Sequence, residues 1–247
     1  MDKVVYLAGQ AAKSLMARQD NVSNNLANVS TPGFRAQMMA LRSAPIQGPG
    51  TNVREFAAET VTGFNASGGS INTTGRDLDI AIEGAGWFAV QGGDGREAYS
   101  RSGSLQVNAD GILTTAEGRP LRSDAGAPLE VPAAHRVQIE GDGSVTALPL
   151  DPKNKAVQAL GRIKLVNPET RDLTRGDDGL FRLRNGQDAP RIETVRVSSG
   201  ALETSNVNAA ETMVQMISAA RQYEANLKVI STSEQNAQAA RSLFTLN

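Results

Sequence analysis

The chain has 247 residues, 40% hydrophobic and 21% charged, enough to bury one large core or two small ones. Its 25 basic and 26 acidic residues leave a net charge of −1, which gives no global pull toward nucleic acid or an anionic membrane. The absence of cysteine excludes disulfides, thiolate metal sites and cysteine nucleophiles, and the single histidine, His135, leaves no multi-histidine metal centre or histidine-based triad to build.

Glycine and proline divide the chain into three. Residues 1–31 contain only Gly9, residues 201–247 contain neither type, and residues 32–200 hold the other 23 glycines and all 10 prolines. Both residues punctuate turns and interrupt helices, so the order reads helix, β-rich middle, helix. In the first segment Val4, Ala8, Ala11, Leu15, Val22, Leu26 and Val29 recur at steps of three, four and seven. This is an apolar seam on one helix face. A helix over residues 3–29 would be roughly 40 Å long. Thr31-Pro32-Gly33 ends it, because proline disfavours helix in its predecessor and glycine permits a sharp turn. Asn21, Asn24, Asn25 and Asn28 form a polar set on the same helix. At an assembly seam such side chains fix register through hydrogen bonds.

Residues 36–75, rich in Gly, Ser, Thr, Asn and Pro toward their centre, are expected to form an extended arm or linker. Residues 76–200 read as short strands around Ile80-Ala81-Ile82, Trp87-Phe88-Ala89-Val90, Leu105-Gln106-Val107, Val137-Gln138-Ile139, Leu180-Phe181-Arg182-Leu183 and Ile192-Glu193-Thr194-Val195-Arg196-Val197. Asp94-Gly95, Asp110-Gly111, Asp142-Gly143 and Asp178-Gly179 lie between them as hairpin signals. An antiparallel sheet, a sandwich or a partly open barrel would satisfy this pattern. In the last segment Met213, Met216, Ala220, Tyr223, Leu227, Ile230, Glu234, Ala237, Arg241 and Phe244 alternate steps of three and four. Asn208 with Glu211 makes a capping box at the start of this helix, which would run roughly 55–60 Å.

The fold class is therefore α+β. The expected organisation is a terminal helical assembly module (1–35 plus 201–247), an arm (36–75) and a β-rich outer domain (76–200). Each helix carries an apolar stripe that has to be covered, by the other helix or by another copy of the chain. On the assembly reading, Val4, Leu15, Val22, Leu26 and Val29 form the first seam, with Asn24, Asn25 and Asn28 beside it. Met213, Met216, Tyr223, Leu227, Ile230 and Phe244 form the second.

Catalytic patterns are weak. Asp77, Asp79 and Glu83 carry carboxylates, but nothing pairs them for glycoside hydrolysis. Gly84-Ala85-Gly86 lacks the third glycine and the following helix of a dinucleotide site. Asp177-Asp178-Gly179 lacks the spaced ligands of a calcium loop. Trp87 and Phe88 read as core anchors. No enzyme activity, cofactor, metal or nucleic-acid partner is expected. No run of about 18 apolar residues is present, and Gln10, Lys13, Arg18 and Asp20 interrupt any signal-peptide core, so neither membrane insertion nor a cleaved signal is expected.

Asn24-Asn25-Leu26-Ala27-Asn28-Val29-Ser30-Thr31-Pro32-Gly33-Phe34-Arg35 resembles the N-terminal signature of the bacterial flagellar rod and hook protein family. The stretch Asp77 through Val90, the stretch Tyr99 through Gly111, and Gly200 through Asn208 with the helix after it resemble further family segments, in the family's order. The opening residues and the length look most like a proximal-rod member; a distal-rod member is the alternative, and a soluble β-rich binding module the remote one. The resemblance implies a structural subunit whose paired, coiled-coil-like termini polymerise into the axial tube that transmits torque and encloses the export channel. It adds Pro32, Gly33 and Phe34 to the assembly interface. The implied partners are other rod subunits, copies of itself and the flagellar type III export apparatus. The implied location is the periplasmic part of the basal body, reached without a cleaved signal peptide.

Overall fold

The computed structural model describes residues 2–45, 55–132, 135–149 and 157–244, with side chains over 5–39, 63–132, 135–149 and 157–239. The centre of the expected arm and the side chains of Val4 and Phe244 lie outside the described residues. The fold is α+β: helix α1 (Asp2–Ala27) and helix α2 (Ala209–Phe244) flank a middle of short antiparallel strands. The chain forms two compact units, one of Met1–Val29, Gln37–Gly63 and Val207–Asn247, the other of Ser30–Ala36 and Phe64–Asn206.

In the helical unit α1 and α2 pack against each other, and the strand Gln37–Pro45 lies against α1 and pairs with Glu55–Phe64. At about 1.5 Å per residue the helices are about 39 and 54 Å long. On α1, Ala8, Ala12, Leu15 and Val22 are buried at steps of four, three and seven. On α2, Thr212 and Ala219 are buried, and Met216, Tyr223, Asn226, Ile230, Ser233 and Ala237 are half-buried. The stripe 212, 216, 219, 223, 226, 230, 233, 237 keeps the seven-residue period. It runs one residue earlier than the apolar spacing suggests at every second step, passing through Ala219 and Asn226 where the sequence pattern passes through Ala220 and Leu227. Alanines at positions 8, 12 and 219 allow close approach of two helix axes.

The helix ends follow from local chemistry. Asn208 precedes α2, and its Oδ1 accepts from Glu211 N at 3.2 Å, as an N-cap does. Thr212 Oγ1 donates to Asn208 O at 2.7 Å. At the other junction α1 tightens, with Val29 N donating to Leu26 O, before Gly33 adopts φ 70°.

The β unit holds a five-stranded sheet in the order Leu165–Val166, Trp87–Gln91, Glu97–Ser100, Phe181–Leu183, Leu173–Arg175. A three-stranded sheet runs Gln158–Arg162, Ser144–Pro149, His135–Ile139, and smaller pairs complete the unit. Ile71–Thr73 pairs with Ala201–Glu203, and Ile80–Glu83 pairs with Arg196–Ser199. All four Asp-Gly dipeptides sit in hairpins: Gly95, Gly111, Gly143 and Gly179 have φ of 76–85°, which an L side chain rarely adopts. The expected strand at Ile192 starts only at Arg196. Ile192 and Val195 are apolar because they pack into the core across a turn, not because they belong to a ladder.

Candidate assembly surface

The two helices hide one stripe and expose others. On α1, Tyr6, Leu7 and Met16 are 53–59% exposed. On α2, Met213, Val214, Ile217, Leu227 and Val229 are 45–66% exposed. Val214, Ile217, Ser218, Arg221, Gln222 and Ala225 follow one another at i, i+3, i+4, i+7, i+8 and i+11, and they line a shallow cleft of about 490 Å³. Large apolar side chains recurring along one helix face, open to water, are what an association surface requires.

The segment between α1 and the first strand is bound into the β unit. Gly33 N donates to Glu203 O at 2.8 Å. A Cβ at Gly33 would lie 2.3 Å from the carbonyl of Arg101, so glycine is needed there for space as well as for its positive φ. Phe34 is buried, with the Arg175 guanidinium 4.6 Å from its ring centre. Arg35 is fully buried: its Nη1 reaches Glu203 Oε1 at 2.7 Å and Ser67 O at 2.7 Å. Glu203 Oε2 lies 3.2 Å from Arg101 Nη1, and Oε1 also accepts from Gly69 N at 2.9 Å. The guanidiniums of Arg35 and Arg101 each lie 5.9 Å from the Trp87 ring, which packs with Phe64 and Phe181. Burial, helped by the charge of Arg35, pulls the Arg101 guanidinium down to about 10, against the opposing pull of Glu203.

Of the residues singled out from the sequence, Leu15 and Val22 are buried, and Leu26, Val29, Met216, Tyr223 and Ile230 are half-buried. Met213 and Leu227 lie off that stripe and are exposed. Asn24 is exposed, and Asn28 Nδ2 donates to its backbone carbonyl at 2.8 Å. Asn25 holds Gln37 through both ends of its amide. Pro32 is half-buried, while Gly33 and Phe34 are spent inside the β unit. Sequence reasoning passed over Arg101, Glu203 and Asn206 as partners of Arg35 and its neighbours; only the pairing of distant segments brings them together. It also passed over Val214 and Ile217, although their i, i+3 spacing was visible beside the chosen seam.

Comparison with known proteins agrees with this order of parts. The family model for the flagellar basal body rod protein matches residues 6–35. That for the flagellar hook protein FlgE/F/G D1 domain matches 81–147, and that for the flagellar basal body rod FlgEFG protein C-terminal matches 198–243. The chain is 42% identical to the flagellar basal-body rod protein FlgF of Escherichia coli K12, over the whole of both chains. It is 39% identical to FlgF of Salmonella typhimurium, again over both full lengths. Against FlgG of Bacillus subtilis identity is 29%, over 95% of this chain and 96% of the relative. With both ends and the β-rich middle matched in order, the chain belongs to the FlgF family of flagellar basal-body rod proteins, structural subunits of the rod.

Proposed function

We propose that this subunit polymerises through its terminal helices into the proximal part of the rod, as a wall segment of the axial tube that carries torque and surrounds the export channel. The observation that carries the reading is the set of apolar side chains that the two helices leave open to water, Tyr6, Leu7 and Met16 on α1 and Val214, Ile217 and Leu227 on α2. Covering them in a neighbour removes apolar area from water at about 25 cal/mol per Å². The inward α1–α2 stripe forms a coiled-coil-like hairpin inside each subunit, and the outward faces meet other rod subunits or further copies of the chain. Asn24 and Asn28 set register at the subunit boundary.

On this reading the chain is an exported subunit that performs no chemistry. It passes the flagellar type III apparatus largely unfolded and folds as it docks in the periplasm, where burial offsets the entropy of ordering the helices. Among the described residues no helix is long and apolar enough to cross a membrane. The test is deletion of the gene and imaging of the remaining basal bodies. Membrane rings with little or no rod are expected. A short rod stub would move the subunit to the distal rod, and normal basal bodies with normal swimming would remove the rod reading.

A further inference from the structure

Within the β unit, residues 196–206 run as one seam along segments from much earlier in the chain. Arg196–Ser199 pairs with Ile80–Glu83, and Ala201–Glu203 pairs with Ile71–Thr73. Between the two ladders, Gly200 N donates to Asp79 O and Thr74 N donates to Gly200 O, both at 2.8 Å. Beyond them, Thr204 N donates to Ser70 O and Gly33 N to Glu203 O, both at 2.8 Å, and Asn206 N donates to Phe34 O at 3.2 Å. Side chains add to the seam. Glu203 Oε1 accepts from Gly69 N at 2.9 Å, and Asn206 Nδ2 donates to the carbonyls of Asn65 and Ser67 at 2.9 and 2.8 Å. These three bonds span 134 to 141 residues of chain.

The other ladders contrast with this seam. The hairpins Trp87–Gln91 with Glu97–Ser100, Leu105–Val107 with Leu113–Thr115, His135–Ile139 with Ser144–Pro149, and Leu173–Arg175 with Phe181–Leu183 each close through one Asp-Gly turn. Among the described residues, Ile71–Thr73 and Ile80–Glu83 have no ladder except the one that residues 196–203 supply. Ile80 and Ile82 nevertheless belong to the main core, beside Val197. The entropic cost of closing a loop rises with the logarithm of its length, with a coefficient of 3/2 RT. A seam joining residues about 130 apart therefore forms roughly a hundredfold less readily than a hairpin of four or five residues.

We propose that residues 196–206 are a closing strap. The β unit stays open until they dock, and closes in one late step that also assembles the Arg35–Glu203–Arg101 triad. A chain made from its N-terminus has no means of completing this unit before residue 206 exists, although its four hairpins form as they appear. The open chain keeps Ile80 and Ile82 without their ladder and remains threadable. The value of that for passage through an export apparatus rests on the function proposed above; the strap itself does not.

Refolding of the full-length chain, with pulses of hydrogen exchange at increasing delays, tests the strap. A brief unfolding pulse in urea keeps the proline bonds in their native isomers, so their slow isomerisation does not enter. The amides of Gly92, Glu140 and Gly176, each bonded across a hairpin, should gain protection first. Those of Gly33, Thr74 and Thr204, bonded across the seam, should follow together at a single rate at least tenfold slower. In native Glu203→Gln, exchange at these three should accelerate by a common factor while the hairpin amides keep their wild-type rates. Protection of Gly33 and Thr74 as fast as that of the hairpins overturns the strap. So do separate rates for the three seam amides, or equal acceleration of hairpin and seam amides in the variant. A deletion strain with normal basal bodies removes the rod reading and leaves the order of protection standing, so the two ideas fail separately.

Discussion

Removal of the Glu203 carboxylate is the sharpest test of how the β unit holds the segment after α1. The Glu203 side chain is 3% exposed and lies between the guanidiniums of Arg35 and Arg101, themselves 0% and 4% exposed. Deleting one partner of a buried ion pair costs about 3–5 kcal/mol, because the remaining charge stays buried without compensation. In Glu203→Ala two cations remain in place of one and Gly69 N loses its acceptor, so the loss should fall in the upper part of that range. At about 2–4 °C per kcal/mol for a chain of this size, the melting temperature drops by roughly 8–20 °C. Glu203→Gln keeps an oxygen for Gly69 and Arg35 but not the charge, and should lose roughly half as much. Trp87 is the only tryptophan and has both arginines beside its ring, so its fluorescence in a urea titration reports this site directly. If Glu203→Ala costs less than about 1 kcal/mol, the two guanidiniums are hydrated and the account of a dry ion triad is wrong.

Ile217→Asp and Leu227→Asp, both on exposed positions, should leave the stability of the isolated subunit within about 0.5 kcal/mol yet prevent its incorporation into basal bodies. Val22→Asp, at 4% exposure, should instead cost the subunit more than about 3 kcal/mol, read as lost helix signal in urea. Gly33→Ala should unfold or displace the segment 30–36, since its Cβ would stand 2.3 Å from the Arg101 backbone at a φ of 70°; slower refolding and a lower midpoint of denaturation would report it. Burial raises the pKa of the Tyr99 phenol above its ordinary 10, so the native state keeps a proton that the unfolded chain loses. The stability from this difference is present below pH 10 and is lost as the pH rises beyond it. Thermal melts from pH 9 to 11 should show a decline that is smaller in Tyr99→Phe.

The sequence by itself determined the local structure. The proline-free ends, with Gly9 their single glycine, carry apolar residues at helical spacing and read as helices, and the four Asp-Gly pairs placed four hairpins because few other dipeptides accept φ near 80°. Asn208 marked the start of α2 through its own side chain. Tertiary structure decided what each helix face meets. On α2 the apolar residues surround the axis, so two seams one residue apart, through Ala219 or Ala220 and through Asn226 or Leu227, fit the same seven-residue period. The packing of α1 on α2 decided between them: Ala219 is buried and Asn226 half-buried, while Leu227 stays exposed. The same holds for the signature after α1. Spacing identified Pro32-Gly33 as a stop, but the ion triad of Arg35, Arg101 and Glu203 joins segments that no periodicity connects. A buried charge is legible only once its counter-charge has been brought within about 3 Å by the fold.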